Sequence, residues 1–203
     1  HLAALVAAAC MAASCSGDGR QLREPGTGGA TPRPVPESTT SIDVFADVEP
    51  GTFALRSPAA GPGDLLPLRH ARAGSNTAPE LHWRGVPVEA VELALVMVDI
   101  TANDFVHWVI AGIDPTSVTL FEALVPPGAV QAINDFGELG WGGPAPPIGD
   151  DAHSYVFTLF ALRELSGLTG GEVGSDVIAR LEASAVGAAE LITFYRQAAV
   201  IDP

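Results

Sequence analysis

The sequence predicts a mainly β domain with helical cover at its C-terminal end, and three observations lead there. Val91 to Asp99, Asp104 to Ile113 and Val156 to Leu162 are nearly continuous apolar runs. They are too short for typical helices and too apolar for exposed strands, which is the pattern of buried strands. The connections carry turn-forming clusters such as Pro126-Pro127-Gly128, where proline and glycine impose turn geometry. Apolar residues at helical spacing appear only after Arg163, in Ser175 to Ala183, with Ser175 as cap, and again in Ala185 to Ala199. Strands first and helices last indicate a sheet with helices segregated to one side.

Taken in order, Leu2 to Ala13 is an alanine-rich apolar run that ends in Ala12-Ala13-Ser14-Cys15 and turns polar at Ser16-Gly17-Asp18. It is shorter than the roughly 20 residues of a membrane-spanning helix and has the form of the hydrophobic part of a secretory signal. Small residues before Cys15 resemble a bacterial lipoprotein processing site, with Cys15 as the lipidated residue and Cys10 as its competitor. The other reading is an ordinary cleaved signal with incidental cysteines. Either reading exports the protein, as a membrane-anchored lipoprotein of the bacterial cell envelope or as a periplasmic or secreted one. The chain starts at His1 without a methionine or a basic n-region, so a natural start further upstream is expected. Ser16 to about Ser41 is rich in Gly, Pro, Ser and Thr and reads as a tether. The organisation expected is thus a leader over residues 1–15, a flexible tether over 16–42 and one folded domain over 43–203.

Within that domain Phe53 to Ser57 is a short strand, Ala59 to Asn76 is irregular, and Glu80 to Trp83 is a brief strand followed by a Gly85-Val86-Pro87 turn. Val91 to Asp99 is the buried central strand, with Asp104 to Ile113 as its partner; Thr116 to Val130 is a surface excursion with a short strand. His153 and Tyr155 lead directly into Val156 to Leu162, and residues two apart on a strand share a face.

Composition removes several functions. The net charge of −14 argues against a nucleic-acid backbone as partner, which needs clustered positive charge. All ten basic residues are arginine, and beyond Arg84 only Arg163, Arg180 and Arg196 remain, so any anion must be held by local donors against a repulsive field. With Cys10 and Cys15 both in the leader, the folded body has neither a disulfide nor a thiolate metal site. No G-x-S-x-G elbow, H-E-x-x-H helix or P-loop occurs. No enzymatic activity, cofactor or metal is expected.

The most shaped stretch is Asn134 to Pro147, with four glycines and three prolines in fourteen residues, followed by His153-Ser154-Tyr155. Such a stretch is neither helix interior nor central strand. The run Asn134-Asp135-Phe136-Gly137 through Gly140-Trp141-Gly142-Gly143-Pro144-Ala145-Pro146-Pro147, with His153-Ser154-Tyr155 after it, Phe105-Val106-His107-Trp108 upstream and Ala189-Glu190-Leu191 leading to Tyr195, resembles the phosphatidylethanolamine-binding protein family. The likeness is to the bacterial branch called Raf kinase inhibitor-like proteins and covers about residues 53 to 196. It implies a central antiparallel sheet, a smaller second sheet and peripheral helices. It also implies that Asp99, His107, Gly143, Pro144, His153 and Tyr155 converge on one small cavity that holds a phosphate-like group. Two imidazoles and a phenol would supply donors, glycine a backbone N–H, and the aspartate a tautomer-fixing acceptor or a seat for an ammonium group.

The chain also departs from the family. Its acidic D-P-D-A-P segment is here Asp99-Ile100-Thr101-Ala102-Asn103, a cysteine between the prolines is Ala145, Ser154 stands in place of an arginine, and Thr193 in place of a glycine. Loss of both prolines and of the second acid implies a looser turn beside the surviving Asp99, and loss of the arginine charge weakens the expected hold on anions. The partner expected is a small phosphate-bearing or zwitterionic headgroup, with the membrane as a second partner through the lipid anchor. The alternative is a protease inhibitor or a regulatory protein acting by protein contact, with an envelope or secreted protease as its partner.

Overall fold

A computed structural model describes residues 43–198. The leader, the tether, Cys10 and Cys15 lie outside these residues. Eight strands occur among the described residues: β1 (Ala54–Arg56), β2 (Leu81–Arg84), β3 (Glu92–Asp99), β4 (Phe105–Ile113), β5 (Thr119–Leu120), β6 (Val130–Gln131), β7 (His153–Leu162) and β8 (Ala185–Tyr195). They build a five-stranded sheet in the order β6-β4-β3-β7-β8 and a three-stranded sheet in the order β1-β2-β5. Every neighbouring pair is antiparallel. The central antiparallel sheet and smaller second sheet are those expected, with β3 between β4 and β7 as its apolar run required.

Successive side chains of β3 point to opposite faces, and both faces are buried. Leu93, Leu95 and Met97 join Leu81 and Trp83 of the small sheet in one core cluster, together with Trp108, Phe157 and Leu159. Ala94 and Val96 join Val177 and Leu181 in another. The first cluster fills the space between the sheets. The second lies under α1 (Gly174–Ser184), the one α-helix of the described residues.

Two C-terminal expectations need correction. The second helix expected over Ala185 to Ala199 is the strand β8, which pairs with β7 from Leu162↔Ala185 to His153↔Tyr195. Its burial alternates, with Ala189, Leu191, Thr193 and Tyr195 inside and Ile192 40% exposed. The alanines favour a helix, but the edge of β7 offers ladder hydrogen bonds along the whole segment, and tertiary pairing overrides the weaker local preference. Nor does Ser175 cap α1. The cap position is Val173, which makes no side-chain cap bond, and the Gly174 N–H is satisfied by the Ile133 carbonyl at 2.8 Å.

A buried carboxylate ties the far end of the large sheet together. Glu92 is 5% exposed; its Oε1 accepts from Gly112 N–H at 2.9 Å and its Oε2 from Ser166 N–H at 3.1 Å. Glu92→Gln puts an amide donor against one of these N–H groups. It should cost about 1–3 kcal/mol, the penalty for a buried polar group left without a partner, measured as a lower urea midpoint. An unchanged midpoint would mean that the carboxylate is replaceable there.

Candidate ligand-binding site

The site is made where β3, β4 and β7 end together. Along β4 the register steps from Met97↔Trp108 to Val98↔Val106, leaving His107 as the extra residue of a bulge. A bulge re-aims the side chains that follow it. Val106 thus joins the cluster under α1 while Trp108 joins the one between the sheets. His107 turns toward Tyr155 of that second face, the rings 5.2 Å apart and edge to face.

Asp99 ends β3 opposite Tyr155 on β7. Its Oδ1 accepts from the N–H groups of Thr101 at 2.9 Å and Ala102 at 3.2 Å, capping the 3-10 turn Ile100–Ala102. Its Oδ2 accepts from His153 Nδ1 at 2.7 Å. The segment that lost the family's prolines therefore keeps a firm turn, held by the carboxylate itself. His153 and Tyr155 share a face of β7, as strand alternation requires. His107 donates from Nδ1 to the Gly142 carbonyl at 2.6 Å, which leaves Nε2 as the free nitrogen of the neutral ring. Burial lowers the pKa of His107 below its usual 6.5, against the opposing pull of the Gly142 carbonyl and Asp99. Tyr155 is fully buried and its hydroxyl has no hydrogen bond in the ordinary range. Burial first, and then the Asp99 charge, raises its pKa above normal, so it stays a neutral phenol.

These groups face a cavity of about 110 Å³ lined by Asp99, His107 and His153 together with Phe105, Phe136 and the Ala145-Pro146-Pro147 wall. Gly143 and Pro144 stand behind that wall. The Gly143 N–H, expected to face a ligand, donates to Asn76 Oδ1 at 2.8 Å, and Pro144 gives its carbonyl to Arg72 N–H at 3.0 Å. Tyr155 lies against His107 without lining the cavity, and Tyr195 pairs with His153 across the β7–β8 ladder.

Sequence reasoning passed over several neighbours. Phe105 and Phe136 sat inside the motifs already quoted and could have been read as walls; they pack edge to face at 4.8 Å. Arg72 lies 4.1 Å from the Phe136 centroid and is clamped by Glu138 at 2.7 and 2.9 Å. Asp150 approaches His153 Nε2 at 3.8 Å. Neither Arg72 nor Asn76 carries any local signal, since both arrive from the irregular segment ahead of β2.

A family model described as Phosphatidylethanolamine-binding protein matches residues 56–196. A UPF0098 protein of Methanothermobacter thermautotrophicus is 42% identical over 139 residues, covering 65% of this chain and 91% of its own. A Mycobacterium tuberculosis protein provisionally named lipoprotein LppC is 36% identical over 183 residues, 88% of this chain and 86% of its own. The crystal structure of Escherichia coli YbcL, described as a new member of the mammalian PEBP family, superposes with a TM-score of 0.68 at 31% identity. That superposition covers 71% of this chain and 98% of YbcL. With the fold and the family model in agreement over most of its length, the chain belongs to the phosphatidylethanolamine-binding protein family.

Proposed function

We propose that the protein is a binding module that holds a small phosphate-bearing or zwitterionic headgroup, phosphoethanolamine-like, without changing it chemically. The observation that carries this reading is the convergence of Asp99, His107 and His153 from three strands on one small cavity with apolar walls, the usual make-up of a small-molecule site. Among the described residues the cavity is lined by Asp99, His107, His153 and apolar side chains, a make-up that supports a binding role. The relative provisionally named a lipoprotein supports an exported protein, anchored to the bacterial envelope membrane through Cys15.

Calorimetric titration of the full chain with phosphoethanolamine tests the reading. Saturable binding is expected, weakened about tenfold or more in His107→Ala and His153→Ala, since each removes a polar contact from a desolvated site. Equal binding by wild type and His153→Ala would remove the site from consideration.

A further inference from the structure

A second cavity, of about 240 Å³, shares no lining residue with the first. Its walls include Trp108, Trp141, Asn76, Thr77 and Gln131, with residues 123–125 along one side, and among the described residues no charged side chain lines it. The orientation of both amides is fixed by their partners. Asn76 Oδ1 accepts from the Gly143 N–H at 2.8 Å, and Gln131 Oε1 accepts from Trp108 Nε1–H at 2.8 Å. Both partners only donate, so turning either amide over would set an NH2 group against an N–H. The NH2 groups of Asn76 and Gln131 are therefore the ones left over, and neither has a partner among the described residues.

The 123–125 wall is pinned in place. Ala123 has a left-handed φ of 58°, which residues other than glycine rarely adopt, and its N–H donates to the Ala78 carbonyl at 3.2 Å. The Leu124 N–H donates to the Phe121 carbonyl at 3.1 Å. That turn carries Phe121, Leu124 and Val125, all of them exposed, beside the cavity. Grouped apolar exposure of this kind marks an interaction surface.

We propose that this cavity and its rim bind an extended, proline-rich peptide segment of a partner protein. Aromatic-lined grooves take such segments because a polyproline helix is ordered in advance and its carbonyls have no internal hydrogen bonds. Here the two tryptophans and the Phe121 turn supply the apolar seat, and the Asn76 and Gln131 NH2 groups donate to the peptide carbonyls. Proline brings no N–H of its own. That suits a cavity whose free side-chain polar groups are donors apart from the Thr77 hydroxyl. A sugar would bring hydroxyl donors as well and leave them without acceptors. The uncharged lining fits a neutral segment, which needs no attraction to a chain of net charge −14.

The proposal stands apart from the headgroup reading, and two substitutions keep it so. Gln131→Glu retains an oxygen for the Trp108 N–H and removes the NH2 donor, so it changes the peptide contact and leaves the indole bond in place. Leu124→Asp puts a charge on an exposed rim position. Neither residue lines the cavity beside His107 and His153. Asn76 is less suited, because its oxygen holds the Gly143 N–H and with it the loop that walls that cavity.

The experiment titrates the full chain with an oligoproline peptide, read by calorimetry and by tryptophan fluorescence, since Trp108 and Trp141 line the cavity. A glycine–serine peptide of equal length and a glucose oligomer are the comparison probes. Oligoproline should bind saturably, with little dependence on salt because no lining charge is involved, and should shift the fluorescence. Gln131→Glu and Leu124→Asp should each weaken it about tenfold or more through a lost hydrogen bond or a lost apolar contact, with thermal melts near wild type and phosphoethanolamine binding unchanged. Equal binding by wild type and both variants would overturn the proposal, as would the glycine–serine peptide or the glucose oligomer binding as tightly as oligoproline. A chain that ignores oligoproline and sediments as a dimer, made monomeric by Leu124→Asp, would give this face to a second copy instead. Each of these failures leaves the headgroup reading standing.

Discussion

Phe157→Ala is expected to destabilise the domain by about 3–5 kcal/mol, the range for truncating a large buried aromatic side chain. Phe157 is fully buried in the cluster between the sheets and sits on β7 between Met97 of β3 and Leu191 of β8. Its ring stacks on Trp141 at 6.2 Å, and Trp141 in turn meets Trp108 edge to face at 5.4 Å. Trp141 belongs to the loop that runs into the cavity wall, so the void opens beneath that loop as well as within the core. Chemical denaturation monitored by tryptophan fluorescence reads both effects. A loss below about 1 kcal/mol would mean that the two sheets close over the gap and that packing here is looser than the burial implies.

Gly143→Ala is the second large effect, and it connects stability to the site. A Cβ at this position would lie 2.1 Å from the His70 carbonyl oxygen and 2.8 Å from Asn76 Oδ1. Neither neighbour can retreat freely. His70 is fully buried with its Nδ1 bound to the Thr77 carbonyl at 2.7 Å, and Asn76 Oδ1 holds the Gly143 N–H itself. The loop must lift from the 69–76 segment, breaking the Arg72 N–H to Pro144 bond and moving the Ala145-Pro146-Pro147 wall. A cost of about 3 kcal/mol follows from forced overpacking against backbone, together with loss of phosphoethanolamine binding. The 63% exposed Leu139 on the same loop is the control, since Leu139→Ala should stay within about 0.5 kcal/mol of wild type. If Gly143→Ala melts and binds like Leu139→Ala, the close approach of the loop to His70 is not what shapes the wall.

Much of the fold was legible because its strongest signals are local. The runs that became β3, β4 and β7 are apolar on both faces, and a segment of that length and composition has few ways to be buried other than as a central strand. The leading error, a helix where β8 runs, came from alanines whose helix preference is worth only tenths of a kcal/mol per residue. The Ala189, Leu191, Thr193 and Tyr195 alternation was present in the sequence, but Ile192 and Phe194 on the intervening positions masked its period of two.

For the site, the residue types and the shared face of His153 and Tyr155 follow from sequence, because strand alternation is a property of the backbone alone. So does the glycine and proline loop. The orientation of His107 does not: strict alternation places it opposite Trp108, and only the extra residue in the β3–β4 register turns it toward Tyr155. The direction of the Gly143 N–H, expected to face a ligand, was settled by Asn76, sixty-seven residues away in the chain. The sequence by itself determined which strands are central and which chemical groups lie near their ends. The tertiary structure alone decided which nitrogen of each histidine is left over and which carboxylates lie beside it, because hydrogen-bond direction depends on partners that sequence distance does not reveal.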